Sequence, residues 1–332
     1  MRVIARVLAP LLVASLALAG CGGTKESGDK PDAAASSAPP KPEFWPLTGV
    51  QAPLGETVAK DHPVMVVKMD NTAAAAPQLG LGSADLVVEE LVEGGLTRLA
   101  AFYYSQLPSK VGPVRSMRAS DIGIVTPADA QVVTSGAAAV TISRIKQAGI
   151  TFYGEGSKGL ARDNGRRAPY NLFADLTKTV GLARQDPATP ADYLTWGAPA
   201  DFVGVQPATR VDVPFSYGHT TRWSFEGGRY VNTNSNARQG DRFQADNVLV
   251  LRAPVGDAGY KDPAGNPVPE TKLEGSGAAV LFHNGSLVRG TWSKASLDAP
   301  IELSTEAGAL TVPAGRTWIE LVPENAPQLV IK

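Results

Sequence analysis

One cysteine and three histidines in 332 residues leave this chain almost without thiol chemistry or soft metal ligands. The histidines, His62, His219 and His283, stand far apart and without the short spacings that build zinc sites, so no metal is expected. A hard-cation site made of carboxylates alone stays open. With no second cysteine there is no disulfide within the chain, and the fold must rest on its apolar core. The formal net charge is −1. That balance offers no broad positive footprint for nucleic acid, and the class is set aside. Nor does the apolar run that opens the chain, Val7 to Ala19, reach the roughly 20 residues of a membrane-spanning helix.

What that run does have is a context. Arg2 and Arg6 precede it, and Leu18-Ala19-Gly20-Cys21 follows. A basic start, an apolar middle and small residues at the end make a secretory signal. Leu-Ala-Gly-Cys matches the bacterial lipobox, which implies cleavage before Cys21 and lipid on its sulfur. The plainer alternative is an ordinary signal peptide with a chance cysteine. Residues 1–20 are therefore expected to be a lipoprotein signal peptide and Cys21 the lipidation site. The mature chain is slightly acidic, since Arg2 and Arg6 leave with the signal. Residues 21–46, rich in Gly, Ser, Ala, Pro and Lys, cannot bury enough apolar surface to offset their ordering entropy. They are expected to be a flexible tether holding the folded part outside the cytoplasm, anchored to the membrane.

The folded body is expected to begin near Trp45. Pro63 to Met69 is an apolar run ending in Asp70-Asn71, a buried strand and then a turn. Asp85 to Leu91 and Thr97 to Tyr104 read as strands with a hairpin signal, Gly94-Gly95, between them. Ala130 to Thr134 reads as a strand, and Ala138–Ala148 and Ala174–Arg184 as helices. The mixture predicts an α/β or α+β N-terminal domain over 47–205. From about 206 to 332 short apolar runs alternate with Gly- and Pro-containing turns, and Asn284-Gly285 is a strong hairpin signal. This second part is expected to be β-rich, either a separate C-terminal domain or an extension of the first sheet.

Several strings, taken in order, resemble one family. They are Met69-Asp70-Asn71, Ala76-Pro77-Gln78, Ala84-Asp85-Leu86-Val87, Glu93-Gly94-Gly95-Leu96-Thr97-Arg98, Val111-Gly112-Pro113-Val114-Arg115-Ser116-Met117-Arg118 and Arg167-Ala168-Pro169-Tyr170-Asn171-Leu172. Gly290-Thr291-Trp292 and Pro313-Ala314-Gly315-Arg316-Thr317-Trp318-Ile319 continue the match near the end. Together they resemble the bacterial lipoproteins carrying the domain of unknown function DUF3048, the YerB-like lipoproteins. The resemblance runs from about Asp61 to the end of the chain. It implies a fold and a location, and no reaction. This chain departs from the family pattern in three places. It lacks the His usual in the strand written here Val132-Val133-Thr134-Ser135-Gly136, lacks the Arg usual before the Pro-Gln after Ala76, and has Tyr170 where His is common.

The chemistry-bearing residues allow a binding reading and a catalytic one. Arg115 and Arg118, with Ser116 between them, share a face if the segment is helical, and then form a pocket for carboxylate or phosphate. The structural alternative pairs them with Glu89, Glu90, Glu93 or Asp121. Asp70-Asn71 ends a strand, where ligands bind in open α/β sheets, or else Asp70 simply caps a turn. Arg167 and Tyr170, in a polar loop, offer an anion contact and an aromatic wall, with Asn171 as the cap of a following helix. On an alternating strand Glu89 and Glu93 share a face and Glu90 points to the other. Trp292 and Trp318 are expected in the core. Ser135-Gly136 lacks the Gly-x-Ser-x-Gly elbow, and Ser116 has no evident general base.

The expected function is a membrane-anchored lipoprotein that binds an envelope component, either an anionic cell-wall fragment or a membrane-enzyme partner. Its cleft would be formed by Arg98, Arg115, Arg118 and Arg167, oriented by Asp70, Glu93 and Asp121. No cofactor and no nucleic acid enter this reading. The alternative is an envelope hydrolase with Asp70, Glu93 or Asp121 as acid and base. A third possibility is an interaction module working through the C-terminal β region, which would show an exposed apolar patch or strand edge.

Overall fold

The computed structural model describes residues 41–184 and 187–332. The expected signal peptide, the lipidation site Cys21 and the tether up to residue 40 lie outside the described residues. The last tether positions already belong to the fold. The Ala52 N–H donates to the Glu43 carbonyl (2.8 Å) and the Gly49 N–H to the Trp45 carbonyl (2.7 Å), closing a turn.

The described residues form one unit organised on a twelve-stranded mixed sheet. Its long central strands are Asn247–Ala253, Thr317–Pro323, Leu86–Leu91, Thr97–Tyr103 and Met65–Asp70, in that spatial order. Each is a near-continuous apolar run because both of its faces are covered, the pattern expected of interior strands. Gln131–Val133 and Phe152–Tyr153 extend the sheet on one side. Gly275–His283, Ser286–Lys294 and Glu302–Thr305 extend it on the other. The two parts separated in the sequence meet at the centre of this sheet, where Leu86–Leu91 pairs in parallel with Thr317–Pro323. The β-rich expectation for the second part holds. The first part contributes strands to the same sheet and only short helices, Asp121–Val125, Ala139–Gln147 and Leu176–Thr179.

Side-chain alternation divides the core in two. Met65, Val67, Met69, Val87, Leu99 and Trp318 face one side. There a five-stranded antiparallel sheet, which includes Arg210–Pro214, Thr220–Glu226 and Arg229–Asn232, covers them with Val211, Val213, Trp223 and Tyr230. Val66, Val88, Ala100, Phe102, Ile319 and Leu321 face the other side, against Ile122, Ile124 and Ile145 of the helices and Leu47 and Tyr193. Trp292 and Trp318 are buried, as expected.

The Asn284-Gly285 hairpin forms as expected, with His283 opposite Ser286. Asn284 (φ 47°) and Gly285 (φ 70°) are both left-handed, the requirement of a two-residue turn between twisted strands. A Cβ at Gly285 would also lie 3.0 Å from the Phe225 ring. Gly285→Ala is expected to cost about 1–2 kcal/mol through backbone strain alone, and urea unfolding would measure it. An unchanged midpoint would mean the turn relaxes to another type.

Two helical expectations fail. Residues 115–118 are extended, because the Met117 N–H donates to the Gly136 carbonyl (3.0 Å) and the Ser135 N–H to the Arg115 carbonyl (3.1 Å). Asn171 does not cap a helix. It leads into the strand Leu172–Ala174, paired with Leu160–Arg162, and the helix starts only at Leu176.

Candidate functional site

The polar residues singled out in the sequence gather where Met65–Asp70 ends, Thr97–Tyr103 begins and Leu86–Leu91 ends. Alternation splits them between the two faces of the sheet.

On the helix-covered face lie Lys68, Asp70, Glu90 and Arg98. Lys68 is fully buried, and its ammonium donates to Glu90 Oε1 and to Asp121 Oδ1, each at 2.6 Å. The Arg118 backbone N–H donates to the other Asp121 oxygen (2.6 Å), while its guanidinium makes a fork onto Glu93 with contacts of 2.5–3.1 Å. Glu93 was expected to share a face with Glu89. The strand stops at Leu91 and the chain turns through Glu93–Gly95, which swings Glu93 to the opposite face and onto Arg118. One lysine between two buried carboxylates leaves Glu90 above its ordinary range: burial raises it most, Lys68 lowers it and Asp121 raises it again.

Asp70 serves two purposes at once. Its Oδ1 accepts the Thr72 N–H (2.8 Å) and hydroxyl (2.6 Å), the turn-capping role. Its Oδ2 lies 2.8 Å from Arg115 Nε in a charge pair without hydrogen-bond alignment. The Arg115 side chain is 25 % exposed and stacks over the Tyr170 ring at 5.6 Å. Ser116 is half-buried, and its hydroxyl meets that of Ser135 at 3.3 Å. Four of the nine buried side-chain polar atoms without a hydrogen bond among the described residues are in this cluster: Asp70 Oδ2, Glu90 Oε2, Arg98 Nε and Arg115 Nε. Such atoms are rare in folded proteins, and their concentration marks the strand end as different from the rest of the core.

Arg167 is exposed in the loop beside Tyr170. Asn171 is turned inward and accepts from Arg162 (2.7 Å), so it holds the loop instead of joining the arginines.

On the sheet-covered face a second cluster was not foreseen. Glu89 and Glu320 are direct neighbours on parallel strands, both fully buried. Glu89 receives Thr97 (2.7 Å), Thr221 (3.0 Å), Asn71 (3.0 Å) and the Trp318 indole (3.2 Å), and lies 2.9 Å from His219 Nε2. Burial works to raise Glu89, but the bond from His219, its charge and the surrounding donors outweigh it and hold the carboxylate below its usual range. Glu320 is driven well above that range, first by burial and then by the charge of Glu89. It accepts from the Trp223 indole (2.7 Å), and its other oxygen has no donor. One proton held on Glu320 and shared with Glu89 satisfies both groups. His219 is 16 % exposed at the rim of this cluster. Asn71 joins the two faces: it donates to Glu89, while its neighbour Asp70 meets Arg115.

Among the described residues no cluster of His, Cys, Asp or Glu has the arrangement of a metal site, and no helix is long and apolar enough to cross a membrane. A groove of about 1220 Å³ lies at the opposite end of the sheet along Ser286–Lys294 and takes in Val203, Val205 and Leu287. Val203 and Val205, which end the first part of the chain, are exposed and line this groove.

The family described as "Protein of unknown function (DUF3048) N-terminal domain" matches residues 47–188, and its "C-terminal domain" counterpart matches residues 211–319. A Bacillus subtilis (strain 168) protein named "Putative lipoprotein YerB" is 24 % identical over 294 residues, covering 84 % of this chain and 86 % of that protein. The crystal structure of YerB from Bacillus subtilis superposes with a TM-score of 0.71 at 22 % identity, over 87 % of this chain and 99 % of the other. That likeness carries the fold.

Proposed function

This chain belongs to the DUF3048 family of bacterial lipoproteins, and on that premise we propose that it is a lipid-anchored extracytoplasmic protein that binds an anionic envelope component at the end of the Met65–Asp70 strand. The lipobox ending at Cys21 and the lipoprotein name of the Bacillus relative support the location. The observation that carries the binding role is Arg115, a partly exposed cation held between Asp70 and the Tyr170 ring. A guanidinium paired to one side and open on the other can accept a second anion, and the aromatic wall suits a sugar or peptide. A membrane tether raises the effective concentration near surface partners, so modest affinity suffices.

The hydrolase alternative needs a free carboxyl. Asp70, Glu93 and Asp121 are each engaged by a cation, with contacts of 2.5–2.8 Å. That arrangement favours binding over acid–base catalysis.

Full-length protein in detergent, scanned for thermal stability against muropeptides, teichoic-type phosphates and small dicarboxylates, tests the reading. One ligand class should raise the unfolding temperature, and Arg115→Ala should erase the rise. A flat response across the panel would remove this cleft as a binding site and direct the search to protein partners, beginning with the Val203–Val205 groove.

A further inference from the structure

Asp70, Arg98 and Glu90 stand side by side on three adjacent strands as direct cross-strand neighbours. A cation between two carboxylates would ordinarily pair with one of them. Here both are taken, Asp70 by Arg115 at 2.8 Å and Glu90 by Lys68 at 2.6 Å. Arg98 has no carboxylate at ion-pairing distance among the described residues. It is 6 % exposed, its hydrogen bond runs 3.3 Å from Nη1 to the Ser116 carbonyl, and its Nε has no acceptor. Burial and then the charge of Arg118 pull its guanidinium down to about 10, which still leaves it charged at neutral pH. A buried guanidinium with one weak bond is costly to keep, unless something else is meant to meet it.

The charges of the cluster point the same way. Four cations, Lys68, Arg98, Arg115 and Arg118, face four carboxylates, Asp70, Glu90, Glu93 and Asp121. Lys68 meets two of these carboxylates and Arg115 and Arg118 one each, so the pairing scheme leaves Arg98 as the cation without a carboxylate.

We propose that Arg98 is the receptor for a single carboxylate of the ligand, with Arg115 and Tyr170 forming the wall beside it. This rests on the anion-binding reading above and names the chemistry of the anion. A carboxylate brings one negative charge and two oxygens in a plane, matching one unpaired guanidinium and its fork. A doubly charged phosphate would overfill the site and press against Asp70 and Glu93. The carboxylate can come from a small free acid or from the end of a peptide.

The test is a set of thermal unfolding scans of the full-length protein in detergent at constant ionic strength. The probes are sodium lactate, an N-acetylated dipeptide with a free carboxyl end, the same dipeptide as its amide, and inorganic phosphate. The wild type should be stabilised by a carboxylate probe, by more than any shift with phosphate, and not by the amide. Lactate and the free dipeptide separate a small acid from a peptide end as the source.

Arg98→Met supplies the decisive signature. Removing an unpaired buried charge should raise the unfolding temperature of the free protein while abolishing the carboxylate response. Arg98→Lys, which keeps the charge without the fork, should respond more weakly than wild type. An Arg98→Met protein that is less stable than wild type, or fails to fold, makes Arg98 a satisfied structural cation and overturns the proposal. So does a full carboxylate response in that variant. If that response persists but disappears in Arg115→Ala, the anion cleft stands and only the assignment to Arg98 falls. Stabilisation by phosphate alone would likewise spare the cleft and overturn the carboxylate.

Discussion

Lys68→Met is expected to cost about 3–5 kcal/mol of unfolding free energy, the scale for removing one partner of a buried ionic group. Lys68 sits in an otherwise apolar strand and is the cation shared by Glu90 and Asp121, with no exposure on any of the three. Its removal leaves two carboxylates in a low-dielectric core. Glu90 already lies high and takes up a proton most easily. Asp121 retains the Arg118 N–H. The double variant Lys68→Met/Glu90→Gln should therefore recover part of the loss, because one of the stranded charges is gone. Urea unfolding of the three proteins at pH 7 decides the matter. A single variant within about 1 kcal/mol of wild type would mean that the buried triad contributes no more than an exposed ion pair.

Glu320→Gln should do the reverse and stabilise the protein as pH rises. Glu320 is an acid held well above its ordinary value of 4.5, so the folded chain keeps a proton that the unfolded chain releases. Its contribution is complete below pH 4.5 and is lost upward toward its folded value, at about 1.4 kcal/mol per pH unit. A glutamine at this position still accepts from Trp223 through its carbonyl and can donate to Glu89 through its amide, but it has no proton to lose. Glu90 is also raised and leaves some decline in both proteins. The difference between the two pH profiles isolates Glu320. Unfolding midpoints from pH 5 to 8 should diverge, with the variant above; parallel profiles would place the shared proton elsewhere.

Much of the fold was legible because interior strands advertise themselves. Met65–Asp70, Leu86–Leu91, Thr97–Tyr103 and Thr317–Pro323 are apolar runs whose ends carry turn residues. Asn284-Gly285 is one of the few pairs that fit a turn with both residues left-handed. Pairing between distant strands is another matter. No local pattern tells Glu89 that its neighbour is Glu320, so the carboxyl pair was invisible, and with it the role of His219. Lys68 was hidden in plain view: a charge within an apolar run has meaning only when its partners are known. The extended course of Arg115 to Arg118 likewise depends on Thr134 to Gly136, contacts made by a different part of the chain. Arg115 and Arg118 stand out in the sequence because they follow Gly112-Pro113, Arg98 because it follows Gly94-Gly95, and Asp70 because Asp70-Asn71 ends an apolar run. Which cation pairs with which carboxylate does not stand out, since that is decided by the alternation of three neighbouring strands.

The position of Thr317–Pro323 has a consequence for how the protein is made. This strand follows both of its neighbours in the chain and lies between them, in parallel with Leu86–Leu91 and with Asn247–Ala253. Until it arrives, the open edges of both neighbours are bare and the buried carboxyl of Glu89 has neither Glu320 nor the Trp318 indole. The chain therefore cannot complete its sheet in the order in which it is made. It must hold its first half unfinished until Thr317–Pro323 is available, and a chain stopped short of Thr317 would present two long apolar strand edges to any neighbour able to pair with them.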